Sequence, residues 1–487
     1  MHLKQGIMPL RRALCIGIPI ALLLAAVTVF ILLPKGNALS VRQIPGGERD
    51  GYALTLVMHP EEGTVSVRET ITFVNPSKGF LENAVLRFYL NAFASEDTAP
   101  VAPDVWQSAY PDGFSPGEAR LMGVFKDGEA LSCAFIDSAC TSLSVPVALQ
   151  AGERCSISVN TVLRIPDMCG RCGRRENLWT LGNAIPLLAL YDRDQGGYRT
   201  DDYGSIGDPF LSECADFDVT VIAPAGWKPY GSAPFALGED GAFHARAKCI
   251  RDFFVVCSRG LEAKRMAFGD VTVEALVPEN ADVLPSAGRM LACFAESFGP
   301  CPYPYLFICA SDFPYGGMEY PGAVLLSEAL FQETDGWELT LAHEIAHQWF
   351  YALVLSDQVK SAWQDEATAE YAVILYARKV YGDDSGERIQ YQKALLPMEQ
   401  GGFDVTPGAP IGLFGDSETY LTLVYGHGCA YLCALDTYLD GRLPAFLRAY
   451  LDAFAYGFAT RADFENQLQI FSETDLSALT ADFLDTY

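Results

Sequence analysis

Basic side chains and histidine are both scarce in this chain. Of its 487 residues, 34 are Lys or Arg and 61 are Asp or Glu, which gives a formal net charge of −27, and only six are His. Nucleic acids and anionic membrane surfaces are polyanions, so the acidic balance argues against binding either of them by general electrostatics. A cationic peptide is the kind of partner that this charge attracts.

The sequence also has no cysteine pattern that specifies a cofactor. Its 14 cysteines are scattered, and the only closely spaced CxxC pair is Cys169 and Cys172. A zinc site would need a second pair at suitable spacing, so we interpret this pair as a local disulfide or as two thiols without a function. Internal repeats and low-complexity tracts are absent as well, and the length predicts about three domains.

One long apolar run is present, over residues 13–33. It is an uncharged stretch of 21 residues preceded by three basic residues, long enough to cross a bilayer as a helix. The positive-inside tendency places residues 1–12 in the cytoplasm and the rest outside. We therefore predict a single-pass anchor in the cell membrane, followed by a linker over 34–50. A cleaved signal peptide, cut near residues 36–38, is the alternative.

Apolar residues alternate with polar ones from residue 51 to about 262. This period of two predicts strands with one buried face, and we expect a β-rich, β-sandwich-like domain over 51–262. The strand-like segments are 52–58, 65–73, 86–90, 155–165, 217–224 and 253–257.

The order of elements changes after residue 263. A strand pattern, DVTVEALVP, is followed by a probable helix from Ala281 to Phe298 and by a strand from Tyr305 to Ser311. From Trp337 onward the pattern is mostly helical. We predict a multidomain α+β chain, with a second, mostly helical domain over 263–487.

The stretch WELTLAHEIAHQWFY, from Trp337, places two histidines four residues apart. On a helix, His343 and His347 lie on one face one turn apart, so both imidazoles can reach one metal ion. Glu344 lies at the edge of that face, where it can take a proton from a water that the metal activates. This H-E-x-x-H arrangement predicts a hydrolytic zinc site.

Such a site needs a third protein ligand. A pattern with a third histidine would require Gly at 350 and His at 353, but Phe350 and Leu353 stand there. A second predicted helix, from Ser361 to Gly382, carries Glu366 near its start, with eighteen residues between it and His347. We favour Glu366 as the third zinc ligand. The alternative is an acid that a first helical turn merely tolerates well.

The segments HEIAHQWF, WQDEATAEY and GGMEYPG resemble the three signatures of the aminopeptidase N family of zinc metallopeptidases, the gluzincin aminopeptidases. GGMEY precedes His343 by about two dozen residues, as the corresponding G-x-M-E-N segment does in that family. The resemblance implies a thermolysin-like fold for the catalytic domain, one zinc ion per chain, and peptide substrates with a free N-terminus. It also implies that the β domain flanks the cleft.

The resemblance further implies roles for individual residues. Glu319 would bind the free α-ammonium of the substrate, with Gly316, Gly317 and Met318 beside it on a short edge strand; the alternative for Glu319 is an exposed edge glutamate. Tyr425, in YGHGCAYLCAL, would stabilise the oxyanion of the attacked carbonyl. The alternative for Tyr425 is a helix tyrosine packed in the core.

The chain departs from the family pattern at four positions. Tyr320 replaces the usual Asn, Asp365 and Ala367 replace Asn and Gly around the third ligand, and His427 replaces Lys. These changes leave the zinc set complete and bear on specificity. Glu370, one turn beyond the third ligand, either orients a zinc ligand or lies on a solvated helix face.

Our main hypothesis is a membrane-anchored zinc aminopeptidase whose catalytic domain lies outside the cytoplasm. An endopeptidase of the same fold would not need Glu319. A catalytically weak envelope protein that only binds peptides would not need the complete set of zinc ligands and general base.

Overall fold

The strands predicted from alternating apolar and polar residues in the first half of the chain pair with one another into sheets. The structure is a computed structural model, and it describes residues 38–279, 281–332 and 336–486. The strands, numbered in chain order, are β1 (Asp50–His59), β2 (Thr64–Val74), β3 (Leu81–Arg87), β4 (Glu118–Lys126), β5 (Glu129–Ala130), β6 (Ala134–Phe135), β7 (Ser142–Leu149), β8 (Arg154–Arg164), β9 (Cys172–Arg174), β10 (Leu178–Leu181), β11 (Leu187–Leu188), β12 (Tyr191–Asp192), β13 (Gly197–Tyr198), β14 (Ala215–Ile222), β15 (Trp227–Gly231), β16 (Ala236–Leu237), β17 (Phe243–Ile250), β18 (Val255–Arg259), β19 (Lys264–Phe268), β20 (Val271–Leu276), β21 (Tyr305–Ser311), β22 (Gly317–Tyr320), β23 (Ala323–Ser327), β24 (Leu355–Ser356) and β25 (Phe458–Ala459).

The β-rich part is built around an eight-stranded sheet in the order β16-β17-β14-β1-β2-β8-β4-β5. β1 pairs antiparallel with β2 and parallel with β14. Two four-stranded sheets, β15-β18-β10-β9 and β11-β3-β7-β6, complete this part. Alternate residues of β1 and β2 are buried, because each strand presents one face to the core.

The predicted strands correspond to these elements with ends shifted by up to about two residues, as at 217–224 and 253–257, and the larger difference is at the end of β3. The alternation through Leu86, Phe88 and Leu90 predicted a strand to residue 90, but β3 stops at Arg87. Leu90 instead lies in a 3₁₀ helix, Tyr89–Ala94. Phe88, directly before this helix, and Tyr89 and Leu90 within it are all buried, so a fully buried turn and not a strand with one buried face accounts for the apolar residues here.

A smaller sheet of five strands begins the second half, in the order β19-β20-β21-β23-β22. β20, β21 and β23 are parallel, and β22 is antiparallel at the edge. This edge strand carries Met318 and Glu319, as the sequence predicted.

Most helices of the described residues follow the strands of this sheet, and one, Val283–Phe298, lies between β20 and β21. They are α1 (Trp106–Ala109), which lies in the β-rich part, and then α2 (Val283–Phe298), α3 (Gly336–Ala346), α4 (Trp363–Tyr381), α5 (Asp383–Gln390), α6 (Leu396–Met398), α7 (Ser417–Tyr420), α8 (Gly428–Tyr438), α9 (Leu443–Phe454), α10 (Arg461–Ser472) and α11 (Ser477–Leu484). Two shorter 3₁₀ turns are Glu328–Gln332 and Ile411–Leu413. The predicted helices over 281–298 and 361–382 correspond to α2 and α4.

Two π-helical turns interrupt this region. Tyr391–Leu395 joins α5 to α6, and Leu421–His427 joins α7 to α8. His427 Nε2 lies 3.0 Å from the carbonyl oxygen of Pro397, which links the second turn to α6. π-Helical turns are rare and often occur at functional sites.

The chain from Leu39 onward packs as one compact unit. Buried Arg251, from the β-rich part, donates to the carbonyls of Tyr351 and Ala352 at 3.1 and 3.2 Å. The division at residues 262 and 263 stays a prediction. The predicted membrane helix over 13–33 lies outside the described residues, and within those residues no helix is both long and apolar enough to cross a bilayer.

Candidate active site

Helix α3 brings the two predicted imidazoles together. His343 lies in its last turn, and His347 follows the final helical residue, Ala346, with its backbone N–H still 3.4 Å from the His343 carbonyl. The two rings are 4.7 Å apart between centroids. Both side chains are buried, at 8% and 0% exposure. One helical turn therefore aims both imidazoles at the same point.

Glu366, in the first turn of α4, completes the predicted triad. Its Oε2 atom lies 3.2 Å from His343 Nε2 and 3.4 Å from His347 Nε2. The two Nε2 atoms are 3.0 Å apart. Tetrahedral ligands about 2.0–2.2 Å from zinc lie roughly 3.3–3.6 Å from each other. The three separations of 3.0, 3.2 and 3.4 Å are close to this range or slightly shorter, so the donor atoms converge enough to hold one zinc ion. Two imidazoles and one carboxylate are also the donor set of a hydrolytic zinc site.

The outer nitrogen of each imidazole has its own contact. His347 Nδ1 lies 3.0 Å from the carbonyl oxygen of Phe350, and His343 Nδ1 lies 3.1 Å from Oε1 of Glu370. Contacts of this kind orient metal-binding histidines. Of the two interpretations of Glu370, the structure therefore favours the one in which it orients a ligand, since its side chain is buried.

The protonation of this cluster reflects burial and close opposite charge. Burial lowers the pKa of His343, but Glu366 and Glu370 outweigh it and raise that pKa to about 9. Burial raises the pKa of Glu366, yet the two imidazoles bring it well below the ordinary value. Burial also raises the pKa of Glu370, but Lys393 and His343 outweigh this effect and bring that pKa down to about 2. Both carboxyl groups are thus held as anions, the form that a metal ion needs.

Glu344 lies beside the triad and against the edge strand. Its side chain is buried, and its Oε2 atom has no hydrogen-bond partner among the described residues. Burial raises the pKa of Glu344 to about 7, against the opposing effect of His343 and His347. A carboxyl with that pKa can accept and release a proton near neutral pH. Its neighbour Gly317 leaves room for it, because a Cβ there would lie 2.3 Å from Glu344 Oε1.

Glu319 faces the same space from β22. Single ligand atoms of Glu319, Glu344 and His347 all lie within 4.8 Å of one another. Burial raises the pKa of Glu319 well above its usual value, while His347 opposes this shift. The side chain is 5% exposed, so the alternative of an exposed edge glutamate is wrong.

Tyr425 lies over the metal-binding histidine. Its ring stacks on His343 at 5.7 Å with an interplanar angle of 12°, and Tyr420 packs edge-on against it at 5.8 Å. Burial raises the pKa of the Tyr425 hydroxyl well above its usual value, and the nearby Glu366 carboxylate adds to this shift. The hydroxyl therefore stays a hydrogen-bond donor at neutral pH.

A cleft of about 510 Å³ opens onto these side chains. Gly316, Gly317 and Met318 line it beside His343 and Glu344. Its other walls are largely apolar and aromatic, and they include Phe93, Tyr203, Phe313, Tyr315, Tyr420 and Leu421.

Charged residues that the sequence did not single out also line the cleft. Asp208 forms a salt bridge of 2.7 Å with Arg171, with both side chains nearly buried. Lys393 lies near the other end of the site, beside Glu370. Asp208 comes from a loop without a motif, and Arg171 lies between Cys169 and Cys172, a pair whose spacing did not indicate a role at this cleft.

Two of the four residues that depart from the family pattern, Tyr320 and Asp365, make structural contacts. Tyr320 is buried, stacks on Phe254 at 4.1 Å, and fills the space beside Gly182, where a Cβ would lie 2.1 Å from its hydroxyl. Asp365 accepts a hydrogen bond from the backbone N–H of Glu366.

Cys169 and Cys172 are both buried free thiols, so of the two interpretations of this pair the disulfide is wrong.

Comparison with known proteins relates the second half of the chain to one family. Residues 284–483 match the peptidase family M1 domain. Leucine aminopeptidase 2-2 of Meyerozyma guilliermondii is 26% identical over 170 residues, which cover 31% of this chain and 27% of that protein. Leukotriene A-4 hydrolase of Xenopus laevis is 26% identical over 181 residues, covering 34% and 28%. The matched segment thus spans less than a third of these relatives.

Solved structures extend the likeness to nearly the whole fold. An M1 zinc metallopeptidase from Deinococcus radiodurans superposes with a TM-score of 0.64 at 17% identity, covering 92% of this chain and 95% of that one. A glutamate-to-alanine mutant of that protein, bound to a Tyr-Ser-Ala substrate, gives the same TM-score of 0.64, also at 17% identity, covering 92% and 96%.

The motif spacing, the donor geometry and these matches agree with one another. Residues 284–483 thus form a zinc-metallopeptidase domain of the M1 type, the type found in the gluzincin aminopeptidases.

Proposed function

We propose that this protein is an aminopeptidase, which removes N-terminal residues from peptides. The observation that carries the proposal is the position of Glu319, a buried carboxyl within 4.8 Å of both the general base Glu344 and the ligand His347. An endopeptidase has no use for a buried carboxyl so close to the reacting atoms. A free α-ammonium gives that carboxyl a partner that favours its charged form.

His343, His347 and Glu366 would hold the zinc ion, which would supply Lewis acidity to polarise a carbonyl and to make water a stronger nucleophile near pH 7. Side chains of the protein transfer the proton and stabilise the developing negative charge. Glu344 accepts the proton of the attacking water and passes it to the departing amine. The hydroxyl of Tyr425 donates to the oxygen on which negative charge develops.

Substrate position follows from the edge strand and the cleft. An extended peptide lies against β22, where Gly316 and Gly317 allow close approach of its backbone. Pairing of its ammonium with Glu319 fixes the scissile bond one residue from the N-terminus. The aromatic and apolar walls favour an apolar first side chain. The tripeptide bound by the Deinococcus relative supports substrates of this class.

The test compares a leucyl anilide with its N-acetylated form, using the zinc-loaded protein. We expect hydrolysis of the free form and little or none of the acetylated form. Glu344→Gln should keep its zinc and lose turnover by about 10²–10⁴-fold, the usual contribution of general base catalysis. Glu319→Gln should mainly raise KM for the free form. Exposed Glu387→Gln is the control and should change neither.

Each alternative has a distinct result. Equal hydrolysis of both forms would identify an endopeptidase and refute the role of Glu319. Bound zinc without any hydrolysis would identify a peptide-binding protein.

We also propose that residues 13–33 anchor the protein in the cell membrane, with the catalytic domain outside the cytoplasm. The uncharged run of 21 residues and the basic residues before it support this proposal. Full-length protein should stay with membranes after an alkaline carbonate wash, whereas a form that starts at Leu39 should not. A mature N-terminus near Ala38 would instead show that the segment is cleaved.

A further inference from the structure

We propose that Lys393 is a positioning residue that holds the zinc ligand His343 in place through Glu370. This inference rests on the proposed metal site. It assigns a function to a lysine side chain that lies outside the zinc motif and far from it in the sequence.

The three side chains form a continuous chain of contacts. Lys393 Nζ lies 3.0 Å from Oε1 and 2.8 Å from Oε2 of Glu370, so it engages both oxygens. Glu370 Oε1 lies 3.1 Å from His343 Nδ1. The opposite nitrogen of the same imidazole, Nε2, points at Glu366 and His347. Lys393 therefore reaches the metal-binding nitrogen through one carboxylate and one ring.

Burial makes the lysine necessary to this arrangement. The Glu370 side chain is 6% exposed and that of Lys393 is 34% exposed. A buried carboxylate without a counterion is costly, so without Lys393 the Glu370 side chain would move towards water. That movement would remove the contact between Glu370 and the His343 ring. The lysine holds Glu370 in place.

The backbone explains how Lys393 reaches this position. It lies in the π-helical turn Tyr391–Leu395, whose wider backbone interrupts the regular helical periodicity between α5 and α6. This turn packs against the second π-helical turn, Leu421–His427, which carries Tyr425. The residue that orients a zinc ligand and the proposed oxyanion donor thus lie on adjoining turns.

Lys393 also lines the cleft, so a contact with substrate is the competing role. The two roles predict different measurements. A positioning residue changes zinc affinity without any substrate present. A substrate contact changes KM and leaves zinc affinity intact.

The experiment measures the zinc dissociation constant of the metal-free full chain by competition with a chromophoric chelator. We expect Lys393→Met to bind zinc about 10–100-fold more weakly, the usual effect of losing an outer contact of a metal ligand. Lys393→Arg should restore most of the affinity, because it keeps the cation. Lys379→Met, at a surface pair with Glu296, is the matched control and should bind zinc normally.

Lys393→Gln serves as a second variant if the methionine form does not fold, since glutamine keeps a polar group at the cleft. Zinc affinity within twofold of wild type in a folded lysine variant would overturn the role of Lys393. Wild-type protein that binds zinc but hydrolyses nothing would overturn the proposed function alone. Wild-type protein that fails to bind zinc would overturn both.

Discussion

Gly317 shows how one missing side chain sets the position of Glu344, the proposed general base. A Cβ at this residue would lie 2.3 Å from Oε1 and 2.6 Å from Cδ of Glu344, whereas at Gly316 the nearest atom, Cγ2 of Thr340, is 3.5 Å away. A side chain at residue 317 would therefore clash with Glu344, whereas a methyl group at residue 316 would be in ordinary contact distance of its neighbour. The edge strand can lie against the base only because residue 317 is glycine.

We expect Gly317→Ala to lower kcat by about 10²-fold, because displacement of a catalytic group by about 1 Å has effects of that size. Gly412→Ala, at a glycine with no atom within 4 Å of its Cβ position, is the matched control and should stay close to wild type. Steady-state kinetics on a leucyl anilide measures both. A Gly317→Ala enzyme with normal kcat would show that Glu344 does not act from this position.

At the residue scale, the sequence predicted the groups that share a local motif. His343 and His347 were predictable because helical spacing alone puts them on one face, and Glu366 because a second helix starts at a suitable distance. Asp208 and Lys393 were not predictable. They reach the cleft through tertiary packing, which leaves no periodic signal in a single sequence.

At the element scale, β2 carries an acid on its buried face. Glu69 is 1% exposed, and both of its carboxylate oxygens lack a hydrogen-bond partner among the described residues. Burial raises the pKa of Glu69 well above its ordinary value of 4.5, and Asp252 adds to the shift. The folded protein therefore binds this proton more tightly than the unfolded chain does.

Stability should fall as pH rises above about 4.5, because only the unfolded chain then gains by ionising, at up to about 1.4 kcal/mol per pH unit. Glu69→Gln removes this dependence. We expect its Tm to exceed that of wild type by more at pH 8 than at pH 5, measured by calorimetry. Exposed Glu62→Gln is the control with the same chemical change. An equal difference at the two pH values would contradict the account.

The π-helical turn at Leu421–His427 is a second element with a specific requirement. A Cβ on Gly426 would lie 2.4 Å from Cβ of Pro397 in α6. We expect Gly426→Ala to shift the turn that carries Tyr425 and to lower kcat by about 10–100-fold while zinc affinity is retained. Gly412, with no atom within 4 Å of its Cβ position, is the control glycine. Unchanged kcat in Gly426→Ala would argue against Tyr425 as the oxyanion donor.

The predictability of elements followed the strength of their patterns. The long strands and the helices α2 and α4 matched the sequence, because alternation or helical periodicity covers their whole length. The end of β3 did not match, because the chain at Phe88 and Leu90 enters a 3₁₀ helix whose residues are buried as those of a strand would be. The π-helical turns were not predicted at all, because an irregular backbone has no period of its own.

At the scale of the whole molecule, distant segments meet at the site. Glu319 comes from an edge strand, the histidines from one helix, and Arg171 and Asp208 from the β-rich part. The order of strands and helices was readable in the sequence. The contacts between them, such as Arg251 with the carbonyls beyond α3, join residues about 100 positions apart, and no local pattern encodes them.

Metal removal should therefore affect the whole fold. Zinc at about 100 times its dissociation constant stabilises a folded protein by about 2.7 kcal/mol. We expect dialysis against a chelator to lower Tm by several degrees, and stoichiometric zinc to restore it, whereas magnesium should not. A Tm that is the same with and without zinc would argue against a metal held by α3 and α4 together.

The central claim is that His343, His347 and Glu366 hold one zinc ion beside Glu344. Anomalous scattering from crystals, recorded at the zinc absorption edge, tests it most directly. The account predicts a single strong peak about 2.0–2.2 Å from both Nε2 atoms and from a carboxylate oxygen of Glu366. A zinc-loaded crystal with its peak elsewhere, or with Glu366 turned away from the metal, would contradict it.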